Sequence, residues 1–169
     1  EFKQDGIAVE SNRVGFCSRM ETRKAPHFLN DIDSYFFTNV EHFAWWRENL
    51  NYDFDESKLF QFQYKNLQKF LQRDDWGISH SAHIYEPFGY GIFQALDYGK
   101  IPILPKDWFT EFDYPFRAFG MHEFYEQWKR MCNLSIEGRA QWLSMLRYIF
   151  KKFDDKSRWT KDLLEIYNS

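Results

Sequence analysis

The chain reads as an α/β fold, a parallel sheet flanked by helices, and three observations point there. Short runs of β-favouring residues alternate with stretches of helical periodicity from Arg13 to Pro105. Polar turns, Gly99 and Pro105 punctuate that alternation. After Pro105 helical stripes stand alone. Alternation on this scale is the rhythm of βαβ units, whose ligands sit at the carboxyl ends of the strands.

The elements follow in order. "RVGFC", from Arg13 to Cys17, is an apolar run after a polar lead and is predicted as the first strand; "APHFLNDIDSYF" then opens like a helix. "SYFFT" and "LFQFQY" are strands rich in aromatics, and "VEHFAWWRENL" between them is a helix with a stripe through Val40, Phe43 and Trp46. "KNLQKFLQR" is a helix with Leu67, Phe70 and Leu71 on one face, and "WGISHS" is a strand. "GYGIFQALDYG" is a helix carrying Ile92, Phe93 and Leu96 and ending at Gly99, and "IPILP" is a buried strand closed by proline. Two packing helices come next, one aligning Phe124, Trp128, Met131 and Cys132, the other Leu143, Leu146, Ile149, Phe150 and Phe153. "SRWTKDLLEIYNS", from a Ser157 cap, is predicted as a terminal helix laid against the domain.

A length of 169 residues suits one domain, taken as residues 1–169 with a helical C-terminal part from about 120. The net charge of -3 and a pI near 6.0 leave no bulk excess of cations for a nucleic-acid backbone. No apolar run is long enough for a bilayer, and "EFKQDGIAVES" has no signal-peptide pattern, so a soluble, cytoplasmic protein is expected. The chain opens at Glu1 rather than at methionine, which suggests a processed chain or a segment of a longer one. Two cysteines make no disulfide framework and fit a reducing compartment. The aromatic fraction of 21% offers core filling, or stacking platforms for sugars or bases.

Two stretches carry candidate chemistry. In "SRMETRKAPHFL", Arg19 and Lys24 stand five residues apart in the turn after the first strand, within reach of one diphosphate, although such a turn is also an ordinary solvated one. In "HIYEPFGYGIFQALDYGKIPIL", Glu86 precedes Pro87 at a helix mouth, and Gly89 and Gly91 permit close backbone approach to sugar hydroxyls or phosphate oxygens. Gln94 follows Glu86 by eight residues, near the same edge of the mouth. His80, His83 and Glu86 recur at intervals of three, but a strand at His80 and a proline at position 87 undo a helical metal site, and no metal is expected. Cys17, inside an apolar strand, reads as an inert buried thiol.

In their order along the chain, "SRMETRK", "EPFGYGIFQAL" and "DYGKIPIL" resemble the C-terminal, donor-binding half of GT-B glycosyltransferases of the retaining, family-4-like (group 1) kind. The likeness runs from about Arg13 to Leu104. It implies a Rossmann-like domain that binds a nucleotide-sugar donor, UDP- or GDP-sugar foremost, with no cofactor and no metal. Arg19 and Lys24 would hold the donor diphosphate and stabilise the departing nucleotide, and Glu86 would bind sugar hydroxyls, these three being the implied catalytic residues. The backbone of Phe88, Gly89, Tyr90 and Gly91 would lie along sugar and phosphate. The family's second glutamate is replaced by Gln94, a weaker partner for ribose hydroxyls, and Ser18 stands where a glycine precedes the arginine.

The resemblance further implies sugar transfer, with retention, to an acceptor that is a glycan, lipid, protein or DNA; phage DNA glucosyltransferases have similarly degenerate motifs. Turnover would require an N-terminal acceptor domain that this chain lacks. The alternatives are a noncatalytic nucleotide- or carbohydrate-binding module and a structural interaction domain.

Overall fold

The computed structural model describes residues 7–82 and 90–151. Six strands, β1 (Val14–Cys17), β2 (Ser34–Thr38), β3 (Leu59–Gln61), β4 (Ile78–His80), β5 (Ile101–Pro105) and β6 (Arg117–Ala118), form one sheet in the order β3-β2-β1-β4-β5-β6. Every pairing is parallel. Val14 pairs with Ser34 on one side and Ile78 on the other, so β1 is central and the strand order reverses beside it. The described helices are α1 (Val40–Leu50), α2 (Tyr64–Leu71), α3 (Tyr90–Asp97), α4 (Met121–Cys132) and α5 (Ile136–Lys151). This is the Rossmann-like sheet flanked by helices that the βαβ rhythm predicts.

The two-residue period of β2 divides its aromatics between two cores. Phe36 joins the larger one with Val14, Phe16, Phe43, Ile92, Phe124 and Leu143, while Tyr35 and Phe37 join Phe70, Leu71 and Trp76 on the other. α2 therefore covers the opposite face from α1, α3, α4 and α5. On that second face Gly15 has no substitute: a Cβ there would lie 2.3 Å from the ring of Trp76, which is fully buried and donates from Nε1 to the Phe70 carbonyl at 3.0 Å.

Three arginines, Arg139 and Arg147 buried and Arg117 half-buried, tie separate segments together. Arg139 of α5 donates to the carbonyls of Glu10 and Ser11 at 2.8 and 2.9 Å and to that of Met131 at 3.1 Å, fixing the lead into β1. Arg147 donates from Nε and a terminal nitrogen to the Leu96 carbonyl at 3.0 and 2.6 Å, a cation on the C-terminal turn of α3 where the helix dipole favours one. Arg117 donates to the carbonyls of Trp108 and Phe112 at 3.1 and 2.8 Å and shapes the loop between β5 and β6.

Three expectations are corrected. The stretch from Ala25 forms no α-helix: two single 3-10 turns, Thr22–Lys24 and Pro26–Leu29, meet at Ala25, whose left-handed backbone (φ 51, ψ 45) breaks any continuous helix. The region after Pro105 is not purely helical, because Arg117–Ala118 adds β6 to the sheet edge; two residues are too few for a visible alternation. Val40, placed on the buried stripe of α1, is 42% exposed, since it is the first helical residue and lies ahead of the buried turn at Phe43 and Trp46. The predicted terminal helix and Phe153 lie outside the described residues. Among the described residues no helix is long and apolar enough to cross a membrane.

Candidate functional site

In an open parallel sheet a ligand crevice forms outside the carboxyl ends of the two strands where the order reverses. Here those strands are β1, ending at Cys17, and β4, ending at His80. The loop after β1 is wound by its own hydrogen bonds. Glu21 N donates to the Arg19 carbonyl at 2.9 Å, Lys24 N to that of Glu21 at 2.8 Å, and Ala25 N to that of Thr22 at 3.0 Å. α1 braces the same loop through Trp46, whose Nε1 donates to the Met20 carbonyl at 2.9 Å.

This winding gathers Arg19, Arg23 and Lys24 around Glu21. The carboxylate lies 3.3 Å from Nε of Arg19 and 2.6 Å from Nε of Arg23, both guanidinium groups remaining largely exposed. The hydrogen bond from Arg23 pulls the Glu21 carboxyl below its usual range, with Arg19, Arg23 and Lys24 adding to the effect. Lys24 is half-buried, and its ammonium is pushed down by burial first and then by Arg23 and Arg19, against the pull of Glu21. Three cations thus stand around one acid in the loop after β1, a concentration of cationic side chains of the kind that meets anions.

The second half of the site enters from α3. A Cβ on Gly91 would stand 3.7 Å from the carbonyl oxygen of Cys17, so the first turn of α3 rests against the end of β1. Gln94 follows on the same helix and is half-buried. Tyr90 is the first residue of α3. Glu86, Phe88 and Gly89 lie outside the described residues.

At the end of β4 His80 is buried, with Nε2 2.8 Å from the carbonyl oxygen of Ala25 in the cation loop. Burial drives its pKa down to about 4, the Ala25 contact opposing and His27 adding to the shift. The sequence reads His80 as a core or loop histidine rather than a metal ligand, and no spacing rule foretells its link to Ala25, 55 residues away. Glu21 was missed altogether, although an acid two residues from each of two arginines is a visible signal. Burial pushes the Cys17 thiol up to about 12, so no nucleophilic thiolate forms there near neutrality. Among the described residues no group of three or more His, Cys, Asp or Glu is placed to hold a metal ion.

No family model and no curated protein matches the chain. A solved structure of a mutant of S. aureus TarM in complex with fondaparinux, alpha-GlcNAc-glycerol and UDP does, with a TM-score of 0.69 and 18% sequence identity over 96% of this chain and 36% of that one. The chain thus spans little more than a third of the TarM chain it matches. At that identity the likeness is one of fold, and it shows a Rossmann-like α/β architecture shared with part of the TarM chain.

Proposed function

We propose that this chain is the donor-binding part of a nucleotide-sugar-dependent glycosyltransferase of the GT-B kind, family-4-like and retaining. The observation that carries the reading is the contact of Gly91 with the end of β1, which brings the cation loop and the first turn of α3 to one edge at the point of strand reversal. Two features favour a diphosphate there: the cluster of cations at Arg19, Arg23 and Lys24, and the amide-bearing N-terminal end of α3. The fold neighbour was solved with UDP and alpha-GlcNAc-glycerol bound, which fits a nucleotide donor and a glycosylated product.

In this reading the bond between the sugar's anomeric carbon and the donor phosphate oxygen breaks, and a bond from that carbon to an acceptor hydroxyl oxygen forms. The nucleoside diphosphate leaves with the electron pair, and the hydroxyl proton is released. Arg19 and Lys24 offset the charge that grows on the leaving diphosphate, an electrostatic stabilisation specific to the transition state that requires no metal. Glu86 holds sugar hydroxyls, the backbone from Phe88 to Gly91 lies along sugar and phosphate, and Gln94 meets the ribose. The acceptor is bound by a second domain, which turnover requires.

Calorimetric titration with UDP, GDP, ADP and their glucose conjugates tests the reading. One nucleotide binds, Arg19→Ala and Lys24→Ala each weaken it by about tenfold or more, and Glu86→Ala removes chiefly the added affinity of the sugar conjugate. A folded chain that binds none of them rules the donor site out.

A further inference from the structure

His80 is the last residue of β4, and its ring sits among Phe16, Phe28 and Phe124 with centroid distances of 5.6, 5.8 and 4.6 Å. Apolar packing of that kind would be met by another phenylalanine. What distinguishes histidine there is Nε2, 2.8 Å from the Ala25 carbonyl oxygen. A carbonyl only accepts, so in the neutral ring Nε2 carries the proton and donates it. The same oxygen accepts from Phe28 N at 3.1 Å, which engages both of its lone pairs.

Ala25 is the joint of the cation loop. Its left-handed backbone is disfavoured for any residue with a Cβ and persists only where the surroundings hold it. Ala25 N donates to Thr22 O, and the overlapping bonds Lys24 N to Glu21 O and Glu21 N to Arg19 O carry the winding back to Arg19. A clamp on Ala25 therefore secures the far end of the turn that presents both cations. The clamp is anchored on β4, the strand whose continuation leads into α3.

We propose that His80 is a positioning residue for diphosphate binding, clamping Ala25 so that Arg19 and Lys24 stay aligned with the first turn of α3. This rests on the reading of the loop as a diphosphate site. His80 acts through the backbone of Ala25 and touches no substrate.

The test titrates UDP, GDP and ADP calorimetrically into the wild-type chain, His80→Phe and His80→Gln, each at a temperature where urea unfolding shows it folded. Glutamine carries an N–H to the place of Nε2, whereas phenylalanine fills the space without a donor. The phenylalanine variant binds the preferred nucleotide about tenfold more weakly and the glutamine variant stays within about threefold of wild type. Unchanged affinity in the phenylalanine variant, with or without a loss of stability, overturns the positioning role and leaves the diphosphate site standing. If wild type binds none of the three nucleotides, the diphosphate reading fails and the inference fails with it. Where the phenylalanine variant does not fold, His80→Asn replaces it, keeping an amide too short to reach Ala25, and wild-type affinity in that variant overturns the role equally.

Discussion

Oε2 of Glu21 accepts a hydrogen bond from Nε of Arg23 at 2.6 Å, so the cation loop carries its own counter-ion. In the proposed donor site, a diphosphate arriving at Arg19 and Lys24 would have to compete with that carboxylate. Such exposed pairs are individually weak and screened by salt.

Glu21→Gln is therefore expected to tighten nucleotide binding by roughly two- to fivefold at low ionic strength, with a smaller gain at high salt. Titrations at two salt concentrations measure it. Weaker binding in the variant would mean that Glu21 orients the arginines rather than competing for them.

Gly15→Ala is expected to destabilise the fold by about 2 kcal/mol, because its methyl group would overlap the ring of a fully buried Trp76. Urea unfolding of Gly15→Ala, Trp76→Leu and the double variant forms a cycle. The two sites couple, so the double variant is less damaged than the sum of the singles; strict additivity would show that the ring moves aside.

Stability is expected to fall as pH drops from about 6.5 towards 4, through His80. Its folded pKa is lowered to about 4 from an ordinary value of 6.5. In that window the unfolded chain takes up a proton that the folded one refuses, so stability is full above the window and is lost on acidification. The full effect is on the order of 3 kcal/mol. His27 is shifted in the same direction by burial, so the contribution of His80 is read as the difference between wild type and His80→Gln in urea midpoints across the range. Parallel curves for the two proteins would contradict the assignment.

Arg139→Met is expected to cost about 3 kcal/mol, since the guanidinium serves carbonyls of Glu10, Ser11 and Met131 that methionine cannot satisfy. Thermal unfolding shows the loss, and hydrogen exchange shows it concentrated in the segment leading into β1. A variant as stable as wild type would mean that water replaces the arginine at those carbonyls.

Much of the fold was legible because its signals are local. An apolar run marked β1, aromatic runs marked β2 and β3, the stripe at Phe43 and Trp46 marked α1, and Gly99, at φ 77, followed α3 as expected. The stretch at Ala25 misled because Phe28, Leu29 and Ile32 have helical spacing, yet a single left-handed residue resets the chain ahead of them. Arg19 and Lys24 were legible as candidates because they follow a strand directly. Their partners were less so: Glu21 has only its spacing, and His80 looked like a core or loop histidine.

By itself the sequence determined where β1 to β5 and α1 to α5 lie and which loop carries the cations, because periodicity and turn chemistry act over a few residues. Only the tertiary structure decided the strand order around β1, the addition of β6, the approach of Gly91 to Cys17 and the clamp of His80 on Ala25. Those depend on which surfaces bury together across dozens of residues, and hydrophobic burial is non-directional, so no short pattern encodes the partner it selects.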